Sequence, residues 1–195
     1  NPKRMPQFKD AHELMKKVKR LPGVEYTVNT MTERAVLDAI EDTKQGFGPD
    51  RVVVTISTSE PHNKLNSGKT VAEHWKQIEK WLSLAHDAGI KFSVTISTIW
   101  GCPIAGPVPL DWAVDFAERL VKMGVDDVGH ADHDGQASPD KAYDYFSRVL
   151  DRDPHPHRHA AHIHVTRGWG MANVLASMQA GIVVFESTLG GIGGQ

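Results

Sequence analysis

The chain has 195 residues, of which 40% are hydrophobic and 24% charged, with a formal net charge of -2, a composition that fits a single globular domain and excludes disordered and fibrous classes. Charges of both signs are spread without long runs, so no electrostatic footprint for nucleic acid or an anionic membrane is present, and a small molecule is the expected partner. The single cysteine, Cys102, excludes an internal disulfide framework and makes a reducing, cytoplasmic setting the expectation, while no apolar run approaches the roughly 20 residues that span a membrane and no signal-peptide pattern is seen.

In chain order, short runs rich in β-branched residues recur over 24–30, 51–59, 91–98, 126–132, 159–166 and 181–188, and each reads as a strand. Segments of helical period lie between them. Val71, Trp75, Ile78, Leu82 and Ala85 form one apolar stripe, and Leu110, Ala113, Val114, Ala117, Leu120 and Val121 form another. Thr70 with Glu73 predicts a capping box, and Ser138-Pro139 predicts a helix start. Gly89, Gly124 and Gly181 each follow a periodic run and precede a strand, as stop signals do.

Strict alternation of strand and helix means a parallel α/β sheet with right-handed crossovers. An open doubly wound sheet and a closed (β/α)8 barrel compete at this point. No strand is followed by a G-x-G-x-x-G turn, which disfavours the dinucleotide fold. A TIM barrel has eight units in roughly 250 residues, so six predicted units leave about two unaccounted for.

Reactive groups of parallel α/β proteins gather at the carboxyl ends of strands. Those ends carry Ser57, Ser59 and Glu60 on the second run, His130, Asp132, His133 and Asp134 on the fourth, His162, His164 and Thr166 on the fifth, and Glu186 and Ser187 on the sixth. Residues two apart on a strand share a face, so His162 and His164 point together, as do His130 and Asp132. Two converging imidazoles suit one divalent ion. The same stretch is also simply rich in histidine, and His155, His157 and His159, broken by Pro154 and Pro156, read as a solvated loop or an incidental chelating tract. Asp132 reads equally as a catalytic group or as a cap for the helix near Ser138, and Glu60 and His62 as loop polar residues.

These motifs together resemble the hydroxymethylglutaryl-CoA lyases, within the wider group of metal-dependent TIM-barrel lyases and Claisen-type synthases. The residues that carry the resemblance are "STSEPHNKLN", "GCPIAGPV", "ADHDGQASP", "HIHVTRGWGMAN" and "STLGGIGGQ", in that order, with the opening "NPKRMPQFKDAHELMKKVKRLPGVEYTV" similar to the segment after the family's second strand. The resemblance implies a single TIM-barrel domain over 1–195, incomplete, lacking about the first two strands and the carboxyl-terminal end. It implies that His162 and His164 are metal ligands for Mg²⁺ or Mn²⁺ and that Asp132 contacts the substrate or orients the site. The implied reaction is carbon–carbon cleavage of a 3-hydroxyacyl-CoA. Thr166, Arg167 and Glu60 are the candidate substrate contacts.

Several positions depart from the family pattern. The Arg-Asp-Gly segment of its first strand, the Glu of its second and the Asn that completes the metal shell have no counterpart here. Gln195 stands at the loop Cys, Val165 at the Asp after the histidine pair, Arg167 at the Tyr and His133 at the Thr after Asp132. His133, or else His130, becomes a candidate for proton transfer, and Arg167 for pairing with a substrate carboxylate. The alternatives are a Claisen-type synthase of acyl-CoA and a 2-oxo acid, which resembles these loops less, and a catalytically inactive barrel. Exposed barrel edges make a homo-oligomer an expectation, and a eukaryotic source would make the mitochondrial matrix the compartment.

Overall fold

In the computed structural model, which describes residue 6 and residues 9–191, β1 (Thr27–Thr30), β2 (Arg51–Ser57), β3 (Lys91–Ser97), β4 (Asp127–Asp132), β5 (His159–Ile163) and β6 (Val184–Phe185) form one sheet. Every strand lies inside a predicted run. All pairings are parallel and follow the order β1-β2-β3-β4-β5-β6. A doubly wound sheet reverses its order at a switch point, whereas a barrel advances one strand at a time. The observed order therefore decides for the barrel, and the chain is an incomplete TIM barrel. Helices α1 (Ala11–Lys17), α2 (Glu33–Lys44), α3 (Glu60–Ser67), α4 (Val71–Asp87), α5 (Leu110–Met123), α6 (Pro139–Arg152) and α7 (Gly170–Gln179) make up the outer layer.

The two faces of the sheet differ in chemistry, and this difference places the site. Val52, Val54 and Ile56 of β2, Phe92, Val94 and Ile96 of β3, and Val128 of β4 are fully buried. They pack with Trp75, Ile78, Leu82 and Ala85 of α4, Leu120 of α5 and Phe146 of α6 in one continuous core. Each such side chain contributes roughly 1.5–3 kcal/mol relative to exposure. The alternate residues, Thr27, Asn29, Val53, Thr55, Thr95, Ser97, Ala131 and His162, line a cavity of about 370 Å³ on the other face. A Cβ on Gly129 would lie 2.6 Å from the Thr95 hydroxyl oxygen, so only glycine fits where β3 and β4 meet on this inner face.

The end signals act as expected at α4, where Thr70 accepts from the Glu73 N–H at 3.1 Å and Glu73 accepts from the Thr70 N–H at 2.9 Å. Ser138 is the N-cap of α6 with Pro139 in the first turn, although its hydroxyl makes no capping bond. One expectation is corrected: Glu60 and His62 are not loop residues but open α3, which starts after an extended Ser59, carries Pro61 in its first turn and ends at left-handed Gly68. None of the described helices is long and apolar enough to cross a membrane.

Candidate functional site at the strand ends

β5 pairs with β4 so that Ala131 stands beside His162 and Asp132 beside Ile163. Alternation then turns His162 toward the cavity, and His164, two residues on, follows it. Their Nε2 atoms are 3.1 Å apart and their ring centroids 4.9 Å. The Nδ1–H of His162 donates to Glu186 Oε2 at 2.6 Å, since an ionised carboxylate can only accept. That bond fixes the tautomer and leaves the His162 Nε2 lone pair facing His164. A carboxylate behind an imidazole is the usual outer partner of a metal-binding histidine. Burial holds the His164 imidazole below its ordinary range, and the neighbouring His162 and His133 add to the effect.

The donor set can be tested against the ion that the family resemblance implies. Two nitrogen ligands at right angles on an ion with bonds of about 2.1 Å stand about 3 Å apart, which matches the imidazole pair. Among the described residues, however, no three or more His, Cys, Asp or Glu side chains gather in a way that could hold a metal. The imidazole pair offers two donors at a spacing that one ion could span.

The loop after β4 forms the next part of the rim. His133 also borders the cavity, and its Nε2 lies 3.1 Å from Nε2 of His62, with the rings edge to face at a centroid distance of 4.4 Å. Asp134 accepts from Gln136 Nε2 at 2.7 Å and pairs with Arg167 at 3.5 Å. Gly135 adopts φ +71 against the backbone of Thr166 and Arg167, where a Cβ would come within 3.2 Å of the Arg167 nitrogen. A Cβ on Gly101 would strike the end of the Gln136 side chain at 2.2 Å. The loops after β3, β4 and β5 are thus seated on one another. Cys102 lies in the first of them, buried, with its Sγ accepting from the Ile104 and Ala105 N–H groups at 3.4 and 3.3 Å, a structural role. Thr98, just past β3, has φ 61 and is fully buried, backbone strain of the kind that collects at functional sites.

Other expected residues are placed elsewhere. Asp132 faces away from the cavity, and both its carboxylate oxygens lie 3.2 Å from the Ala137 N–H, which donates to them. Burial pushes its carboxyl up to about 6. It reaches the rim only through the loop that carries His133. Glu60 does not point into the cavity; its Oε2 accepts from the Val71 N–H at 2.8 Å and its Oε1 pairs with Lys64, because the amino end of α4 offers unpaired N–H groups beside it. Thr166 and Arg167 are exposed, and the partner of Arg167 is Asp134.

His130 is corrected as a proton-transfer candidate, and His159 as a loop residue. Both are fully buried on the outer face of the sheet. The directions of their bonds follow from Asp153, which can only accept. His159 Nε2–H donates to Asp153 at 3.1 Å, His130 Nε2–H donates to His159 Nδ1 at 3.0 Å, and the Tyr145 hydroxyl donates to His130 Nδ1 at 2.8 Å. His155 and His157 are exposed, as expected of a loop. Glu186 was legible as a polar strand end but not as the partner of His162, and His62 gave no signal that it faces His133.

Comparison with known proteins identifies the family. The HMGL-like family model matches residues 6–195. Hydroxymethylglutaryl-CoA lyase YngG of Bacillus subtilis (strain 168) is 30% identical over 194 residues, covering 100% of this chain and 63% of its own length. The mitochondrial hydroxymethylglutaryl-CoA lyase of Bos taurus is 29% identical, with 58% of its length covered. Among solved structures, the HMG-CoA lyase of Bacillus subtilis superposes with a TM-score of 0.92 at 30% identity, covering 100% of this chain and 63% of that one. An HMG-CoA lyase of A. baumannii, in complex with coenzyme A and 3-methylmalate, gives a TM-score of 0.91 at 27% identity, with 100% and 61% covered. The chain therefore spans about three fifths of the length of these relatives.

Proposed function

The chain belongs to the HMGL-like family, and on that premise we propose that it carries the ion-binding and oxygen-recognising rim of a carbon–carbon lyase acting on a 3-hydroxyacyl-CoA. The observation that carries this reading is the pair of Nε2 atoms 3.1 Å apart, with Glu186 behind one of them, at the open end of the inner cavity. In the proposed reaction the substrate hydroxyl passes its proton to water, its oxygen becomes a carbonyl, and the carbon–carbon bond breaks with its electron pair passing into a thioester enolate, which takes a proton back from water to give the acyl-CoA. A divalent ion, Mg²⁺ or Mn²⁺, would supply the positive charge that acidifies the hydroxyl. His162 and His164 would hold it, with Glu186 keeping the His162 ring in its ligating tautomer. Asp132 acts as a positioning residue by tying down the backbone between His133 and α6. Thr166 and Arg167 lie against the loop after β4, beside Gly135 and Asp134, and their exposure suits contact with the polar part of an acyl-CoA. The A. baumannii HMG-CoA lyase in complex with coenzyme A and 3-methylmalate supports this substrate class.

The test is calorimetric titration of the chain with Mn²⁺ and with Mg²⁺, repeated on His164→Ala, followed by assay of hydroxyacyl-CoA thioesters for cleavage. Saturable binding that the substitution abolishes supports the reading. Absent binding, or binding indifferent to His164, would make the pair structural and put the catalytically inactive barrel in its place.

A further inference from the structure

The inner face of the sheet carries a row of small side chains one step below the imidazole pair. Thr55 of β2 stands beside Thr95 of β3, Thr95 beside Gly129 of β4, and Gly129 beside Ala160 of β5. Ala160 comes two positions before His162 on the same strand, so this row lies about 7 Å deeper in the barrel than the row that carries His162. Val, Ile and Leu ordinarily fill a barrel interior. Here the row has no side chain larger than threonine, and Thr55 and Thr95 line the cavity. The Thr95 hydroxyl leans toward β4, where a Cβ on Gly129 would come within 2.6 Å of it, and the residue is 8% exposed. Among the described residues neither threonine hydroxyl has a hydrogen-bond partner. Buried hydroxyls are ordinarily bonded, and a strand position that needed only bulk would be served by valine, which has the same shape without the polar atom.

We infer that Thr55 and Thr95 are specificity-determining residues whose hydroxyls bind an uncharged hydroxyl, at the end of a short arm on the carbon that carries the reacting substrate oxygen. The inference rests on the lyase reading and narrows its substrate class. A hydroxyl both donates and accepts, as each threonine does, so the groups satisfy one another without charge. A carboxylate would be buried there without a cationic side chain, since the described cavity-lining residues include no Lys or Arg and do include Glu186. An alkyl end would leave both threonine hydroxyls unpaired. An arm of about three atoms, with a hydrogen bond of about 2.8 Å, reaches from one row to the next.

The test is calorimetric titration of the chain, with Mn²⁺ present, against three CoA thioesters: 3-hydroxyhexanoyl-CoA, its analogue with the terminal methyl replaced by a hydroxyl, and 3-hydroxyglutaryl-CoA. The hydroxyl-ended thioester should bind roughly tenfold tighter than either of the others. Thr55→Val and Thr95→Val should each erase most of that preference while leaving the affinity for 3-hydroxyhexanoyl-CoA unchanged or improved, and Thr95→Ser, which keeps the hydroxyl, should retain it. Urea unfolding supplies a readout without ligand: Thr95→Val should be no less stable than the wild type, because no bond inside the protein is lost. A clear loss of stability in that variant, or a preference that survives both valine substitutions, overturns the inference and leaves the lyase reading standing. Equal affinity of the wild type for all three thioesters, or tighter binding of the methyl or carboxylate end, does the same. Binding of none of the three, with or without Mn²⁺, would instead overturn the lyase reading and the subsite with it.

Discussion

Acid should destabilise this fold partly through one histidine far from the proposed chemistry. His74 of α4 is 1% exposed, packs edge-on against Trp81 and donates from Nδ1 to Asn63 Oδ1 at 3.1 Å. Asn63 has no freedom to turn, because its Oδ1 also accepts from the Ser57 N–H and its Nδ2 donates to the Lys69 carbonyl. Burial, with Lys69 second, holds His74 down from 6.5 to about 4. The folded form thus binds this proton less tightly than the unfolded chain does. The stabilisation is complete above the unfolded value and is lost as the pH falls from 6.5 toward 4. The gap between those values corresponds to about 3 kcal/mol, of which roughly 2 kcal/mol is gone by about pH 5. Urea unfolding followed by tryptophan fluorescence at about pH 7.5 and about pH 5, for wild type and His74→Gln, isolates the contribution, because other titrating groups cancel between the two proteins. The wild type should lose roughly 2 kcal/mol more than the variant. Equal losses would show that His74 does not titrate in this way and would refute the reasoning.

Asp132→Asn should raise the thermal midpoint at about pH 8, by up to about 3 kcal/mol in stability, because burial pushes this carboxyl up to about 6 and its charge is therefore disfavoured in the fold. The gain should shrink below about pH 6, where the wild-type carboxyl takes up its proton; a variant no more stable at alkaline pH contradicts the assignment. Asp153→Ala should cost about 3 kcal/mol in urea unfolding, because Arg158 and the buried His159 lose their common acceptor, and a neutral result would mean that the chain of bonds to Tyr145 contributes nothing.

How much of this could be read from the residues depended on periodicity. The six strands and the α4 cap were legible because an alternating run and a Thr-x-x-Glu pattern each have one local solution. α3 was not, since its polar residues carry no apolar stripe and its start depends on Ser59 and Pro61 alone. At the site, spacing shows that His162 and His164 share a face, and equally that His130 and Asp132 do. It does not say which face, because that is settled by the register against the neighbouring strand. His159 was misplaced for a related reason: the prolines beside it suggested solvent, while its partners Asp153 and His130 lie 6 and 29 residues away in the chain. The departure at Gln195 lies outside the described residues.

β5 puts opposite chemistries on adjacent residues. His159 belongs to the dry side of the sheet and His162 to the wet side, three positions apart within a strand of five residues. A slip by one residue would turn the imidazoles meant for the cavity into the apolar layer and swing His159 out of reach of Asp153. Misalignment is therefore penalised on both sides at once. Substitutions on either face of this strand should therefore be felt in the register of pairing as well as in the site.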